Sequence, residues 1–331
     1  MRAIRWLAIV AASVIALVLA VAALLWYAIY RERSHPPIAS QIVINRGESF
    51  AEIGRQLAAE GIISNVLTFR LLAHLRGEEA AVRAGEYRFT PHLTQDEVLR
   101  ALVTGGAQVA AWVTIPEGFT AAQIAQRLQA AGVGRSSVFL HDFMHERLVV
   151  AGVPTKTLEG FLFPSTYLVP LGAAPSQVAA LMTTEFFKQL PPDAASRARA
   201  LHVSVPQAVT VASLVEREAK SEVDRPKIAE VIYNRLKVGM PLQVDAAIEY
   251  ALPEHKSELS FADLKIDSPY NTYVHAGLPP TPIANPGQPS LAAAFHPAKS
   301  NDLYYVYCGN GRHVFDTTLA GHQANVARCL H

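Results

Sequence analysis

Apolar residues along this 331-residue chain follow several distinct rules, and each predicts a different kind of element. From Trp6 to Tyr30 no residue carries a charge. A run of that length exceeds the roughly 20 residues that cross a bilayer. Arg2, Arg5, Arg31 and Arg33 bracket it, and Trp6, Trp26, Tyr27 and Tyr30 sit near its ends as interfacial aromatics. The pattern predicts one transmembrane helix over residues 6–30 behind a short tail, residues 1–5. A cleaved signal peptide competes with it because Ala20-Val-Ala22 mimics a cleavage site, but the apolar run continues past that point. Lys and Arg counts are equal on the two flanks, so only the free amino terminus and Glu32 tip the orientation toward an inside tail and an outside bulk.

Residues 31–40, with His35-Pro-Pro37, read as a linker stiffened by proline. Beyond it, Gln41 to Asn45 reads as a strand whose alternation is too weak to reveal a buried face. Gly47 to Leu57 reads as a helix with Ser49 as N-cap, Phe50, Ile53 and Leu57 behind it, and Gly61 at its close. The pattern recurs about 70 residues later, where Gly118 to Leu128 ends at Gly132 and Ile124 and Leu128 match Ile53 and Leu57. A strand-like segment precedes each copy, the second being Ala111 to Ile115. Between them Ala84 to Phe89 reads as a strand, and Thr94 to Leu102 as a capped helix ending near Gly105-Gly106. Small βαβ-like units account for this half of the chain.

After Gly152 the pattern changes. Glu159-Gly-Phe-Leu-Phe-Pro164 introduces a turn, and a helix-rich stretch runs from Ser176 to Val238, divided at Asp224-Arg-Pro226. Ile228, Val231, Ile232 and Leu236 recur at helical spacing before Gly239. Prolines at 269, 279, 280, 282, 286 and 289 exclude a regular helix across residues 266–290. The chain then closes with a strand from Leu303 to Cys308, a Gly309-Asn-Gly311 turn, a second strand near His313 to Phe315, and a helix. The fold class expected is α+β.

One helix breaks its own pattern. Val211, Leu214 and Val215 follow the i, i+3, i+4 rule, and the next member at i+7 is Glu218. Glu216 lies roughly 200° around the helix and meets Lys220 at i+4, which predicts a solvated pair. Glu218 finds only Leu214 at i−4 and Glu222 at i+4. A carboxylate against apolar surface without a cation has its pKa raised, as a general acid near neutral pH requires. From spacing alone, a buried structural carboxylate bound to backbone amides is equally open.

Composition narrows the chemistry. Hydrophobic residues make up 50% of the chain and the net charge is +1, with no Lys/Arg-rich block, so no nucleic-acid partner is expected. There is no phosphate loop, His-Glu-x-x-His helix, Gly-x-Ser-x-Gly elbow or Ser-x-x-Lys. The 12 histidines are scattered without ligand spacing on a predicted helix, so neither a metal nor a cofactor is expected. Cys308 and Cys329 fit one disulfide or two buried thiols, and spacing does not choose.

What remains is a carboxylate on an apolar helix face, followed by Asn234-Arg235, Gln243-Val-Asp245 and Tyr270-Asn-Thr-Tyr273, an inventory of amides, carboxylates and aromatic faces that suits sugars. At Ala84–Phe89, Glu159–Pro164, Ala212–Glu218, Asn234–Leu236, Leu242-Gln243 with Asp245, Tyr270–Tyr273, Gly277–Pro280, Asn285–Gly287 and His296–Lys299 the chain resembles the endolytic murein transglycosylases, the YceG-like family. Val244 and Ala219 stand where that family often has Thr. The resemblance implies a LysM-like βα-type domain over residues 41–106, then a catalytic α+β domain over 107–331 with residues 107–155 as a connecting βα subdomain. It implies Glu218 as the catalytic acid and base, peptidoglycan glycan strands as substrate, and a bacterial inner-membrane location with the bulk on the periplasmic side. Peptidoglycan synthases of the penicillin-binding type are the partners it suggests.

Gln243, Asp245, Asn271, Tyr273, Asn234 and Arg235 are the substrate-binding candidates, with Glu216 secondary. Each has a plainer role beside it: Asp245 as the N-cap of Ala246 to Tyr250, Asn271 as an Asx-turn, Tyr273 in the core, and Asn234 and Arg235 at a helix end. Two other functions stay open, a non-catalytic wall-binding scaffold and a hydrolytic muramidase with Asp245 as second carboxylate.

Overall fold

A computed structural model describes residues 2–33, 40–252, 254, 256, 259–309 and 311–329; the proposed His35-Pro-Pro37 linker lies outside them. The chain divides into two compact units, residues 1–112 with 167–171, and residues 113–166 with 172–331.

The first unit opens with helix α1 (Arg2–Tyr30), whose Ile9–Tyr30 segment is long and apolar enough to cross a membrane. Its last turn belongs to the unit's core, where Ile29 is buried and the Ala28 carbonyl accepts from Nε2 of Gln95. Strand β1 (Ser40–Ile44) is followed by helices α2 (Phe50–Ala59) and α3 (Val66–Arg76), strand β2 (Gly85–Phe89) and helix α4 (Gln95–Thr104). With β3 (Gln108–Thr114) and β4 (Thr166–Pro170) these strands form one sheet in the order β1-β2-β3-β4.

Sequence pattern and structure agree where the signal is local. Ser49 and Thr94 cap α2 and α4 through reciprocal capping boxes with Glu52 and Glu97. Gly61 and Gly105 leave those helices with φ of 68° and 81°, which a side chain rarely tolerates. Strand pairing differs from the expectation. β1 pairs antiparallel with β2 and β2 antiparallel with β3, so these are not βαβ units, whose strands would run parallel. The register also identifies the face that alternation left open: Ile42 faces Tyr87 across the ladder, and both are buried with Ile44 and Phe89 against Leu57, Phe69 and Leu99.

The second unit is built around helix α9 (Val205–Glu218). Before it come α5 (Ala121–Ala130), α6 (Ser136–His145), α7 (Pro175–Gln189) and α8 (Ala194–Ala200). After it come α10 (Arg225–Val238), α11 (Asp245–Ala251) and α12 (Gln288–Phe295). A hairpin of β5 (Tyr304–Tyr307) and β6 (His313–Asp316) and helix α13 (Leu319–Cys329) complete it. Every residue of α9 from Ala208 to Val215 is buried. Such a helix belongs inside a domain rather than on its surface. Small residues allow the close approach, with Ala208 and Ala212 packed among Ala229, Ala293 and Ala294 of the same core. Ser213 Oγ in α9 donates to Thr210 O and accepts from the Ile283 amide, which ties the proline-rich loop to the helix.

Phe186 is fully buried and meets Phe161 edge to face at 5.2 Å between ring centres. Replacing it with alanine should cost about 3–5 kcal/mol. The measurement is urea unfolding of the full-length chain in detergent, and an unchanged midpoint would show that this core is not tightly packed.

Candidate active site

Helix α9 ends on Glu218, because Ala219 turns to extended backbone (φ −68°, ψ 126°). Ala and Lys would carry a helix onward by propensity, so the exit is imposed by the surrounding fold. That exit overturns the expected pairing of Glu216 with Lys220, since Lys220 is no longer on the helix. Glu216 is instead nearly buried, with Oε2 at 3.3 Å from Nη1 of Arg225 and accepting the Gly287 amide at 3.0 Å. It serves as an internal tie between α9, α10 and the start of α12.

Glu218 opens into a cleft of about 310 Å³ whose walls include Arg217, Lys220, Asp245, Glu249, Tyr305 and His313. Its Oε2 accepts one hydrogen bond, from the Tyr305 hydroxyl at 3.0 Å. Burial pushes its pKa up to about 7; the Tyr305 bond opposes that shift, and the charges of Asp245 and Glu249 add to it. Tyr305 is itself partly buried and stays protonated, since desolvation and the adjacent Glu218 charge both raise its pKa well above the ordinary value. The group is therefore poised to lose or regain a proton near neutral pH.

A second carboxylate is also pushed up to about 7 by burial, Glu159. Its surroundings differ. It accepts from the Ala121 amide, the Tyr250 hydroxyl and Nδ2 of Asn285, and is 1% exposed. With its oxygens so occupied, Glu159 holds elements together, whereas Glu218 retains capacity on the cleft side.

The other expected residues separate into two groups. Asp245 and Tyr273 meet beside the cleft, where the Tyr273 hydroxyl donates to Oδ1 of Asp245 at 2.5 Å. Asp245 is the first residue of α11 and makes no cap bond; Val244 occupies the N-cap position. Gln243 is exposed in a loop, not in a strand, with φ of 53°, a conformation uncommon for a non-glycine residue. Asn271, Asn234 and Arg235 spend their polar atoms on backbone instead of the cleft. Asn271 is fully buried, donating to the Leu264 and Ile266 carbonyls and accepting the Tyr273 amide. Asn234 donates to the carbonyls of Ser300 and Asp302. Arg235 donates to Leu303 O and Leu242 O, both at 2.6 Å, and stacks on Tyr304. It thereby joins the root of β5, which carries Tyr305, to the loop before Asp245.

Tyr305, His313 and Lys220 line the cleft without having been expected as site residues. Tyr304-Tyr-Val-Tyr307 puts three tyrosines on a short strand, on both of its faces, and nothing local tells which one meets a carboxylate 87 residues earlier. Cys308 and Cys329 form a disulfide that clamps the end of β5 to α13. The cleft adjoins a second one of about 560 Å³, lined by Gln123, Gln126 and Tyr250, across the Arg217–Glu249 ion pair that both share.

The raised pKa of Glu218 has a thermodynamic sign. Between the ordinary 4.5 and about 7 the folded protein keeps a proton that the unfolded chain has released, so its contribution to stability falls as pH rises through that window. Glu218→Gln retains the shape without the charge. The variant should match the parent near pH 4.5 and exceed it at about pH 8 by about 1–3 kcal/mol. Urea unfolding at both pH values checks this, and a difference independent of pH would exclude the raised pKa.

Comparison with known proteins places this geometry in a lineage. The chain is 34% identical over 300 residues to an endolytic murein transglycosylase of Bacillus subtilis (strain 168), covering 85% of this chain and 82% of the relative. It is 32% identical over 316 residues to an endolytic murein transglycosylase of Streptococcus pneumoniae serotype 2, spanning 86% of this chain and 57% of that longer protein. A 2.6 Å crystal structure of a YceG-like protein from Listeria monocytogenes superposes with a TM-score of 0.62 at 30% identity, over 86% of this chain and 98% of the other. Residues 42–328 match the YceG-like family, and the chain belongs to it.

Proposed function

We propose that this protein is an endolytic peptidoglycan transglycosylase with Glu218 as its general acid and base. The observation that carries the reading is a carboxylate poised near neutrality, held among the described residues by one donor, Tyr305, and open to a cleft. The names of the relatives from Bacillus subtilis and Streptococcus pneumoniae support the same activity.

Protonated Glu218 donates to the oxygen of the β-1,4 bond between N-acetylmuramic acid and N-acetylglucosamine, and the bond to the muramyl C1 breaks. The resulting carboxylate then accepts the proton of the muramyl C6 hydroxyl as that oxygen attacks C1, leaving a 1,6-anhydro end. The proton lost in the first step is recovered in the second, and no water is consumed. One carboxylate suffices because the nucleophile belongs to the substrate and is already positioned within the same sugar. The reaction draws on no metal or cofactor.

Asp245, which lines the cleft, and Tyr273, which bonds to it, are the binding candidates that the geometry favours; Gln243 sits exposed on the loop before Asp245. The adjoining second cleft with its two glutamines and Tyr250 supports cleavage within a strand, because an internal bond needs room for sugars on both sides. The β1-α2-α3-β2 run supports a LysM-like role for the first unit. The α1 helix would hold the enzyme in the inner membrane with its bulk on the periplasmic side, beside synthases of the penicillin-binding type. A periplasmic location accords with the Cys308–Cys329 disulfide.

Because Asp245 faces the same cleft, a hydrolytic muramidase is the second reading. Full-length protein in detergent, given un-cross-linked glycan strands, separates the two. The expected outcome is 1,6-anhydro ends from the parent and none from Glu218→Gln. Reducing muramic ends would establish hydrolysis instead, and full cleavage by the variant would remove Glu218 from the mechanism. A non-catalytic scaffold would give no new ends from either protein.

A further inference from the structure

We infer that His313 is a sugar-contacting residue of the Glu218 cleft, with Asp224 as the group that positions it. The inference rests on the proposed reading of that cleft as a glycan site.

Asp224 lies in the 3-10 turn (Glu222–Asp224) that leads into α10 and is buried. Its Oδ2 accepts the backbone amide of His313 at 2.8 Å and faces the ring's Nδ1 at 3.1 Å. An ionised carboxylate can only accept, so the proton of a neutral imidazole must sit on Nδ1, and Nε2 is left as the acceptor. The His313 side chain is 3% exposed and forms part of the cleft wall beside Glu218. Among the described residues no hydrogen bond reaches Nε2, whose lone pair therefore awaits a donor. A sugar hydroxyl or an acetamido N–H is a donor of the right kind.

Geometry places that acceptor close to the chemistry. His313 meets the Tyr305 ring edge to face at 5.8 Å, and the Tyr305 hydroxyl is the donor to Glu218. In the β5–β6 ladder His313 pairs with Tyr307, and Tyr305 with Phe315. Tyr305, Tyr307 and His313 thus share one face of the hairpin and all three line the cleft. Apolar residues at both 224 and 313 would fill this wall without the desolvation cost of a buried imidazole and carboxylate, so stability alone does not account for the pair.

The plain alternative is that Asp224 and His313 only fasten the hairpin to the turn before α10. Two substitutions distinguish the roles. His313→Asn keeps an amide N–H where Nδ1 lies, and with it the bond to Asp224, but has no atom at Nε2. His313→Gln places an amide near Nε2 and gives up the side-chain bond to Asp224. Both are made in full-length Glu218→Gln, which prevents cleavage, and affinity for un-cross-linked glycan strands is measured by calorimetry together with thermal unfolding.

The expected result is that His313→Asn unfolds at the temperature of its background yet binds about ten-fold more weakly, as for loss of one hydrogen bond inside a shielded site. His313→Gln should retain more of the affinity despite a lower unfolding temperature. Unchanged affinity in His313→Asn, or tighter binding by His313→Asn than by His313→Gln, would overturn the contact. The comparison reads binding alone, so it remains decisive even where the parent yields no anhydro ends and the proposed reaction itself falls.

Discussion

Partial withdrawal of the Glu218 carboxylate from water is the constraint on which the second unit is organised. At the C-terminal end of α9 the carboxylate also faces the negative end of the helix dipole, so both burial and position disfavour its charge. One neutral donor, Tyr305, offsets part of that cost, leaving the group balanced between its two protonation states. Glu159 shows the other solution to the same difficulty. Surrounded by an amide, a hydroxyl and an asparagine, it titrates near the same pH but has its oxygens engaged by protein. Open coordination, more than a shifted pKa, is what distinguishes Glu218 from Glu159.

Because Tyr305 sits on a two-stranded hairpin, the state of Glu218 depends on how firmly that hairpin is held. A lone hairpin is marginal in water. Here Arg235 grips its first strand by the Leu303 carbonyl and the Tyr304 ring, the disulfide joins the end of that strand to α13, Lys227 lies over Phe315, and Asp224 holds the start of the second strand. Among the described residues Arg235 has no carboxylate partner for its buried guanidinium and relies on backbone carbonyls and an aromatic face. Its value is positional, since the same side chain also holds the Leu242 carbonyl in the loop before Asp245. Two walls of the cleft are thereby referred to one rigid group.

Much of the fold was legible because its signals are local. Ser49 and Thr94 cap their helices by bonding atoms three residues away, and Gly61, Gly105 and Gly239 end helices through a conformation that other residues avoid. Strand direction was not legible. Antiparallel pairing of β1, β2 and β3 depends on where intervening helices pack, and the spacing of apolar residues says nothing about that. The site divides in the same way. Glu218 was visible as a carboxylate in an apolar period, whereas Asn271, Asn234 and Arg235 looked like binding groups because they stand in the polar and aromatic segments that suit sugars and carry the family resemblance. Their hydrogen bonds run to backbone carbonyls of loops whose path the residues do not announce.

Periodicity of about 3.6 residues per turn placed Glu218 on the buried side of a helix, whatever the rest of the chain did. The end of that helix was a different matter. Ala219-Lys220 would prolong it by propensity, and in the folded unit its termination is accompanied by the grip of Arg225 and the Gly287 amide on Glu216. Residues close in sequence can bond only as their local conformation allows, so patterns of three and four residues predict those bonds. The donor that tunes Glu218, the acceptor offered by His313 and the cation beside Glu216 come from segments brought together by packing, and their identities belong to the tertiary structure.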